Sequence, residues 1–113
     1  MPRDNTTLLD ILRAARLAVA FMGDLDKLAF LNDLKTQSAI LHQLLVLGEA
    51  VKRLSEGFRT SHPSIPWRMI AGMRDQLIHA YDTGDLDEGW KTVSIDIPYL
   101  ITLLAPLEPQ QEE

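Results

Sequence analysis

The sequence contains no cysteine, which removes disulfides and thiolate metal sites and is compatible with a reducing compartment. No basic-then-apolar leader opens it, and no uncharged apolar run approaches the roughly 18 residues needed to cross a membrane. The expected location is therefore the cytoplasm, with no membrane partner. Positive charge is also short. Eleven Lys and Arg stand against 16 Asp and Glu, a net charge of −5, which argues against broad, non-specific nucleic-acid binding. Any RNA contact must be local, and the candidates are Lys52, Arg53, Arg59, Arg68 and Arg74.

Metal and phosphate motifs are missing too. There is no HExxH or EF-hand pattern, no Gly-rich phosphate loop and no G-x-S-x-G elbow. The three histidines, His42, His62 and His79, are scattered along the chain. A metal centre would need the fold or an oligomer to assemble it, so neither a metal nor a cofactor is expected. Strand-like alternation, internal repeats and low-complexity linkers are absent as well.

What is present is apolar residue at helical spacing. Apolar types make up 46% of 113 residues, enough for one domain, 1–113, with its own core. The ends at 1–5 and 107–113 are expected to be flexible. Thr7 and Asp10 resemble a capping box for a first helix reaching about Met22, with Leu8, Ile11, Leu12, Ala15, Val19 and Met22 on its inner face and Gly23 as its stop. Leu25 to Asn32 suggests a short helical turn in which Leu28, Phe30 and Leu31 plug one end of the core.

A second long helix is expected from Leu34 to Glu56, ending at Gly57. It is apolar over much of its circumference, as a helix buried on more than one side would be, and Gly48 would allow another helix close. Glu49 falls on the narrow polar strip with His42, Lys52, Arg53 and Glu56. It either pairs with Lys52 or Arg53 on its own helix or meets Arg74 of a neighbour. Phe58 to Pro66 reads as a loop. Asp85 and Glu88 open a last helix carrying Trp90, Val93, Ile97, Leu100, Ile101 and Leu104, which Pro98 should kink or interrupt. The fold class expected is an all-α antiparallel bundle of about four main helices plus a short one.

The stretch from Pro66 to Asp82 carries the chemistry. Pro66 suits the start of a helix. Wound at about 100° per residue, Trp67, Ile70, Ala71, Met73, Leu77, Ile78, Ala80 and Tyr81 gather on one arc, with Arg74 in its middle. A guanidinium there is costly unless it is paired, lines a cleft or faces another subunit. His79 lies about 140° round, on a polar strip with Arg68 and Asp75. A neutral imidazole can take the proton from a ribose 2′-OH, and a protonated one can give a proton to a leaving 5′-oxygen. An Arg supplies a permanent forked charge for the phosphorane-like transition state between them. One chain offers one such His, and a two-fold dimer would bring two Arg74/His79 sets into one cleft. The bland alternatives also stand: His79 pairing with Asp75 or Asp82 on its own helix, Arg74 as a structural ion pair, Tyr81 as a core tyrosine with its hydroxyl at the rim, and Trp67 and Trp90 as packing anchors.

The spacing Arg74-x4-His79-x-Tyr81 resembles the signature of the HEPN superfamily. With Ile65-Pro66-Trp67, Gly72-Met73-Arg74-Asp75 and Leu47-Gly48-Glu49-Ala50 in order around it, the chain is similar from about Leu8 to Leu104 to its HepT branch. That resemblance implies a homodimeric, metal-independent endoribonuclease toxin leaving a 2′,3′-cyclic phosphate, with Arg74 and His79 as the catalytic pair and Asp75 and Tyr81 in support. Arg68, Lys52 and Arg53 remain the RNA-binding candidates. It also implies a nucleotidyltransferase antitoxin that silences the toxin by adding AMP to the motif tyrosine, here Tyr81. Asp75 stands where the family often has Asn, and its charge one helical turn from His79 should favour imidazolium. The alternative is a non-catalytic interaction module of the same dimer that binds a nucleotidyltransferase or nucleotide.

Overall fold

Two long helices packed antiparallel, α1 (Pro2–Met22) and α3 (Leu34–Arg53), form the spine of the molecule. The computed structural model describes residues 2–109. The flexible ends expected at Met1 and over 110–113 lie outside the described residues. Residues 2–5 do not form a loose start. The helix begins at Pro2, and the Asp4 carboxylate accepts hydrogen bonds from the Ser55 backbone N–H at 2.9 Å and the Ser55 hydroxyl at 2.7 Å. The capping box expected at Thr7 and Asp10 is likewise absent. Thr7 is inside the helix donating to the Arg3 carbonyl, and Asp10 faces Arg53 at 3.9 Å.

Helical spacing decides what α1 buries. Leu8, Ile11, Leu12, Ala15 and Met22 are buried as expected, while Val19 stays 38% exposed. Gly23, at a φ of 55°, ends α1 in a conformation open to glycine. The short α2 (Lys27–Leu31) is capped by Asp26 and sinks Phe30 completely into the core against Trp90. Leu31 packs beside it, but Leu28 points outward at 72% exposure and plugs nothing.

The second helix stops earlier than its pattern suggests. α3 ends at Arg53, Leu54 is extended, and Ser55 caps a further short helix, α4 (Glu56–Ser61), in which Gly57 is an interior residue and no stop. The supposed loop is thus helical as far as Ser61. Next come α5 (Trp67–Ala71) and α6 (Met73–Thr83), which the sequence pattern runs together and the structure separates at Gly72, whose φ and ψ of −95° and 1° leave the helical basin. Gly84, at a φ of 73°, closes α6 with its N–H on the Tyr81 carbonyl.

Asp85 caps α7 (Leu86–Lys91), which leads through a π turn at Thr92–Asp96 into α8 (Ile97–Leu104) and a final tight turn, Ala105–Leu107. The interruption expected at Pro98 takes the form of that π turn, just before a residue with no N–H to offer the helical ladder. Val93, Ile97, Leu100 and Leu104 are buried, with Trp90 and Ile101 partly so. Among the described residues there is no strand, and the fold is the all-α bundle that the periodicity implied. No helix among them is long and apolar enough to cross a membrane.

Candidate active site

Gly48 lets α5 come close to α3. A Cβ built on it would stand 3.0 Å from the Ala71 carbonyl oxygen, tighter than ordinary contact, so a side chain there would push the two backbones apart by a few tenths of an ångström. The contact sets the next side chains out on either lip of a cleft. Glu49 and Lys52 come from α3, and Arg74 and Asp75 from the first turn of α6; Leu44, Leu45, Gly48 and Ala71 complete the lining. The cleft is small, about 120 Å³.

Arg74 resolves the cost of a guanidinium on an apolar arc in two of the three ways open to it. It lines the cleft and it is paired, with its Nη1 donating to Asp75 Oδ1 at 3.2 Å and its side chain 42% exposed. Glu49 bonds Lys52 on its own helix at 3.4 Å; it lines the cleft with Arg74 but makes no hydrogen bond or ion pair with it among the described residues. His79 stands on the exposed face of α6, and its ring makes no hydrogen bond or ion pair within the described chain. The pairings with Asp75 or Asp82 do not form. Asp75 spends its charge on Arg74 instead.

Tyr81 turns inward. Its ring packs against the core, and its hydroxyl is shielded from solvent without a hydrogen-bond partner among the described residues. Burial pushes the phenol up to about 12, because the phenolate would lose water there and gain nothing in return. The hydroxyl thus lies inside rather than at the rim.

Of the RNA-binding candidates, Lys52, Arg53 and Arg68 divide between two faces. Arg53 turns toward α1, beside Asp10 and Arg13. Lys52, one residue earlier and so about 100° round the helix, faces the other way and lies near Arg68. There a wider pocket of about 540 Å³ opens among α3, α4 and α5, lined by Val51, Lys52, Glu56, Arg59, Trp67 and Arg68. Trp67 is more than a packing anchor. Its Nε1 donates to the Arg59 and His62 carbonyls at 3.1 Å each, fixing the indole as one wall. Sequence reasoning named Arg59 but left it on a loop, and only the capping Ser55 ahead of it signals the helix that points it into this pocket. Among the described residues no group of three or more His, Cys, Asp or Glu side chains could hold a metal ion.

Comparison with known proteins gives one family. The family described as "Ribonuclease HepT-like" matches residues 11–107. A protein of Thermococcus cleftensis named "Probable ribonuclease HepT" is 46% identical over 93 residues, 82% of this chain and 84% of the relative. Two relatives whose names begin "Putative RNase" are also similar. That of Methanocaldococcus jannaschii is 40% identical over 87% of this chain and 83% of its own. That of Caldanaerobacter subterraneus is 42% identical over 63% of each. No solved structure matches.

Proposed function

The chain belongs to the ribonuclease HepT-like family, and from that membership we propose that it is a metal-independent endoribonuclease toxin acting through Arg74 and His79. The observation that supports this most is the position of Arg74, half-exposed at the mouth of a cleft on the helix that also presents an unpartnered His79. In the reaction, a neutral His79 removes the proton of a ribose 2′-OH. The freed oxygen bonds to the adjacent phosphorus as the bond from phosphorus to the 5′-oxygen breaks. A protonated imidazole supplies the proton to that leaving oxygen, leaving a 2′,3′-cyclic phosphate and a 5′-OH. Arg74 binds the extra charge gathered on the phosphoryl oxygens between those steps, exchanging its bond to Asp75 for one to the phosphate.

Base and acid are two imidazoles, so the active form is a homodimer whose His79 residues face one cleft. Toxicity would be held off by a nucleotidyltransferase partner that adds AMP to Tyr81. The shielded hydroxyl means that Tyr81 must swing out of its packing before it can accept the nucleotide. A non-catalytic module binding the same partner is the second reading, and the Arg74–Asp75 pair is the observation in its favour, since it already satisfies the guanidinium.

The test is cleavage of RNA by purified wild type and His79→Ala with EDTA present, beside the intact mass of each. Cutting by wild type alone, with a cyclic phosphate end, supports the ribonuclease. Intact RNA with an unmodified protein mass moves the assignment to the binding module. Intact RNA with the added mass of AMP identifies a silenced enzyme, and mapping then decides whether Tyr81 carries the group.

A further inference from the structure

Beside the Arg74 cleft lies the wider pocket, and its composition is unlike the rest of this acidic chain. Lys52, Arg59 and Arg68 line it against one acid, Glu56, in a protein whose net charge is −5. Neither Arg59 nor Arg68 has an ion pair in the described chain. The Arg59 Nε is shielded from solvent with no hydrogen-bond partner, so the side chain lines the pocket with its charge not neutralised by any acid of the described chain. The indole of Trp67 forms a wall beside these cations, held by its two carbonyl contacts and by Phe58, whose ring centroid is 6.0 Å away.

Size separates the two openings. At about 120 Å³ the Arg74 cleft falls below the ~300–1,000 Å³ of small-ligand sites, whereas the neighbour, at about 540 Å³, lies within it. Lys52 and Ala71 line both, so the two are neighbours. Cations with an aromatic wall are the combination that binds single-stranded nucleic acid, the phosphate on the charges and the base on the ring.

We propose that the pocket formed by Lys52, Arg59, Trp67 and Arg68 is a nucleotide subsite that holds a phosphate and the adjoining base of the RNA strand next to the nucleotide presented to Arg74. This rests on the ribonuclease reading for its choice of strand. It assigns the substrate a single-stranded segment reaching past the scissile bond on the α4 side. It also places affinity for RNA in a local patch, as the chain's overall acidity requires.

The experiment measures binding of a labelled single-stranded RNA, made uncleavable by 2′-O-methylation, to full-length wild type, Arg68→Gln, Lys52→Gln and Trp67→Phe, across a salt series. Arg68 and Lys52 are exposed, so their variants should fold as wild type. Each charge variant is expected to weaken binding about tenfold and to reduce the salt slope by about one phosphate contact. Trp67→Phe is expected to weaken binding roughly fivefold with the slope unchanged. In Trp90→Phe protein, where Trp67 is the only indole, RNA should quench its fluorescence. Unchanged affinity and slope in both charge variants overturn the subsite, and so does wild type that binds no RNA. Competition by AMP alone, with RNA affinity indifferent to Arg68, identifies a free-nucleotide pocket and also overturns it. Failure of the ribonuclease reading looks different: wild type binds RNA through these residues yet leaves cleavable RNA intact. Cleavage with no dependence of RNA binding on Lys52 or Arg68 sinks the subsite alone.

Discussion

Gly48 of α3 and Ala71 of α5 meet backbone to backbone, so close that a Cβ on Gly48 would stand 3.0 Å from the Ala71 carbonyl oxygen. Both residues line the Arg74 cleft, so the contact sets the distance between Glu49 and Lys52 on one lip and Arg74 on the other. Gly48→Val must push α5 away. Overpacking of this kind costs ~1–3 kcal/mol, and a displaced Arg74 should lower RNA cleavage more than the lost stability explains. Gly57→Ala is the matched control. It lies in α4 with nothing closer than 4.0 Å to the added methyl, and it should gain up to about 1 kcal/mol from helix propensity. Urea melts of both variants, with activity measured well below each midpoint, check the pair. A Gly48→Val protein with wild-type stability and activity would dissolve the argument.

Tyr81 yields a prediction about stability with an unusual sign. Its hydroxyl is buried without a partner, so Tyr81→Phe removes an unsatisfied polar group and should leave the protein as stable or up to about 1 kcal/mol more stable. The pH dependence follows from its raised pKa. The folded phenol keeps its proton up to about 12, while the unfolded chain ionises near 10. Between those values the unfolded state has released a proton that the folded state retains. The Tyr81 contribution is therefore whole below pH 10 and is lost as pH climbs toward 12. Thermal melts across this range should show wild type losing stability faster than Tyr81→Phe. Parallel curves would mean that the hydroxyl reaches water or a partner in solution.

Asp4 works in the opposite direction. The Ser55 backbone N–H, and after it the Ser55 hydroxyl, hold the Asp4 carboxyl below the usual carboxylate range. A depressed folded pKa gives stability that is present above the unfolded value near 3.8 and lost as pH falls through the folded one. Asp4→Asn should accordingly be less stable than wild type at neutral pH, with the gap in melting temperature closing in acid. The difference should also be visible as fraying of the α1 start and of α4 in hydrogen exchange. A gap that stays constant from pH 7 to pH 2 would contradict it.

These examples show what the linear pattern could and could not convey. Gly23 was legible as a helix stop because a left-handed residue after an apolar stripe is a local event. Pro98 was legible as an interruption for the same reason, though not the π turn that absorbs it. Gly48 as a point of close approach could be read from an otherwise apolar helix. The Asp4–Ser55 bond spans 51 residues, and without it neither the helical start at Pro2 nor the early end of α3 could be foreseen. At the site, the arc placed Arg74 correctly as a guanidinium in need of a partner, and the adjacent Asp75 turned out to be that partner. Lys52 and Arg53 turn to different faces, as neighbours about 100° apart in a helix do. Trp67 was legible as a packing anchor, but not its hydrogen bonds to the Arg59 and His62 carbonyls, because the helix that carries Arg59 had been taken for a loop.

The Arg74–Asp75 pair gives the last prediction. The bond is 3.2 Å long between partners that are 42% and 81% exposed, a setting in which solvent screens most of the attraction. Binding of a phosphate would have to displace it. Asp75→Asn keeps the shape of the side chain and removes the competing charge. The net charge rises from −5 to −4, since one of the 16 acids is gone. RNA should then bind a few-fold more tightly, with the gain largest at low salt and shrinking as counter-ions screen the site. The reciprocal change, Arg74→Gln, should abolish the salt-dependent part of that gain, because Asp75 would have no cation left to neutralise. Anisotropy titrations of the two single variants and the double variant form a cycle whose coupling isolates the pair. If Asp75→Asn and Arg74→Gln prove additive, Asp75 does not hold Arg74 away from RNA, and the exchange of partners during catalysis loses its support.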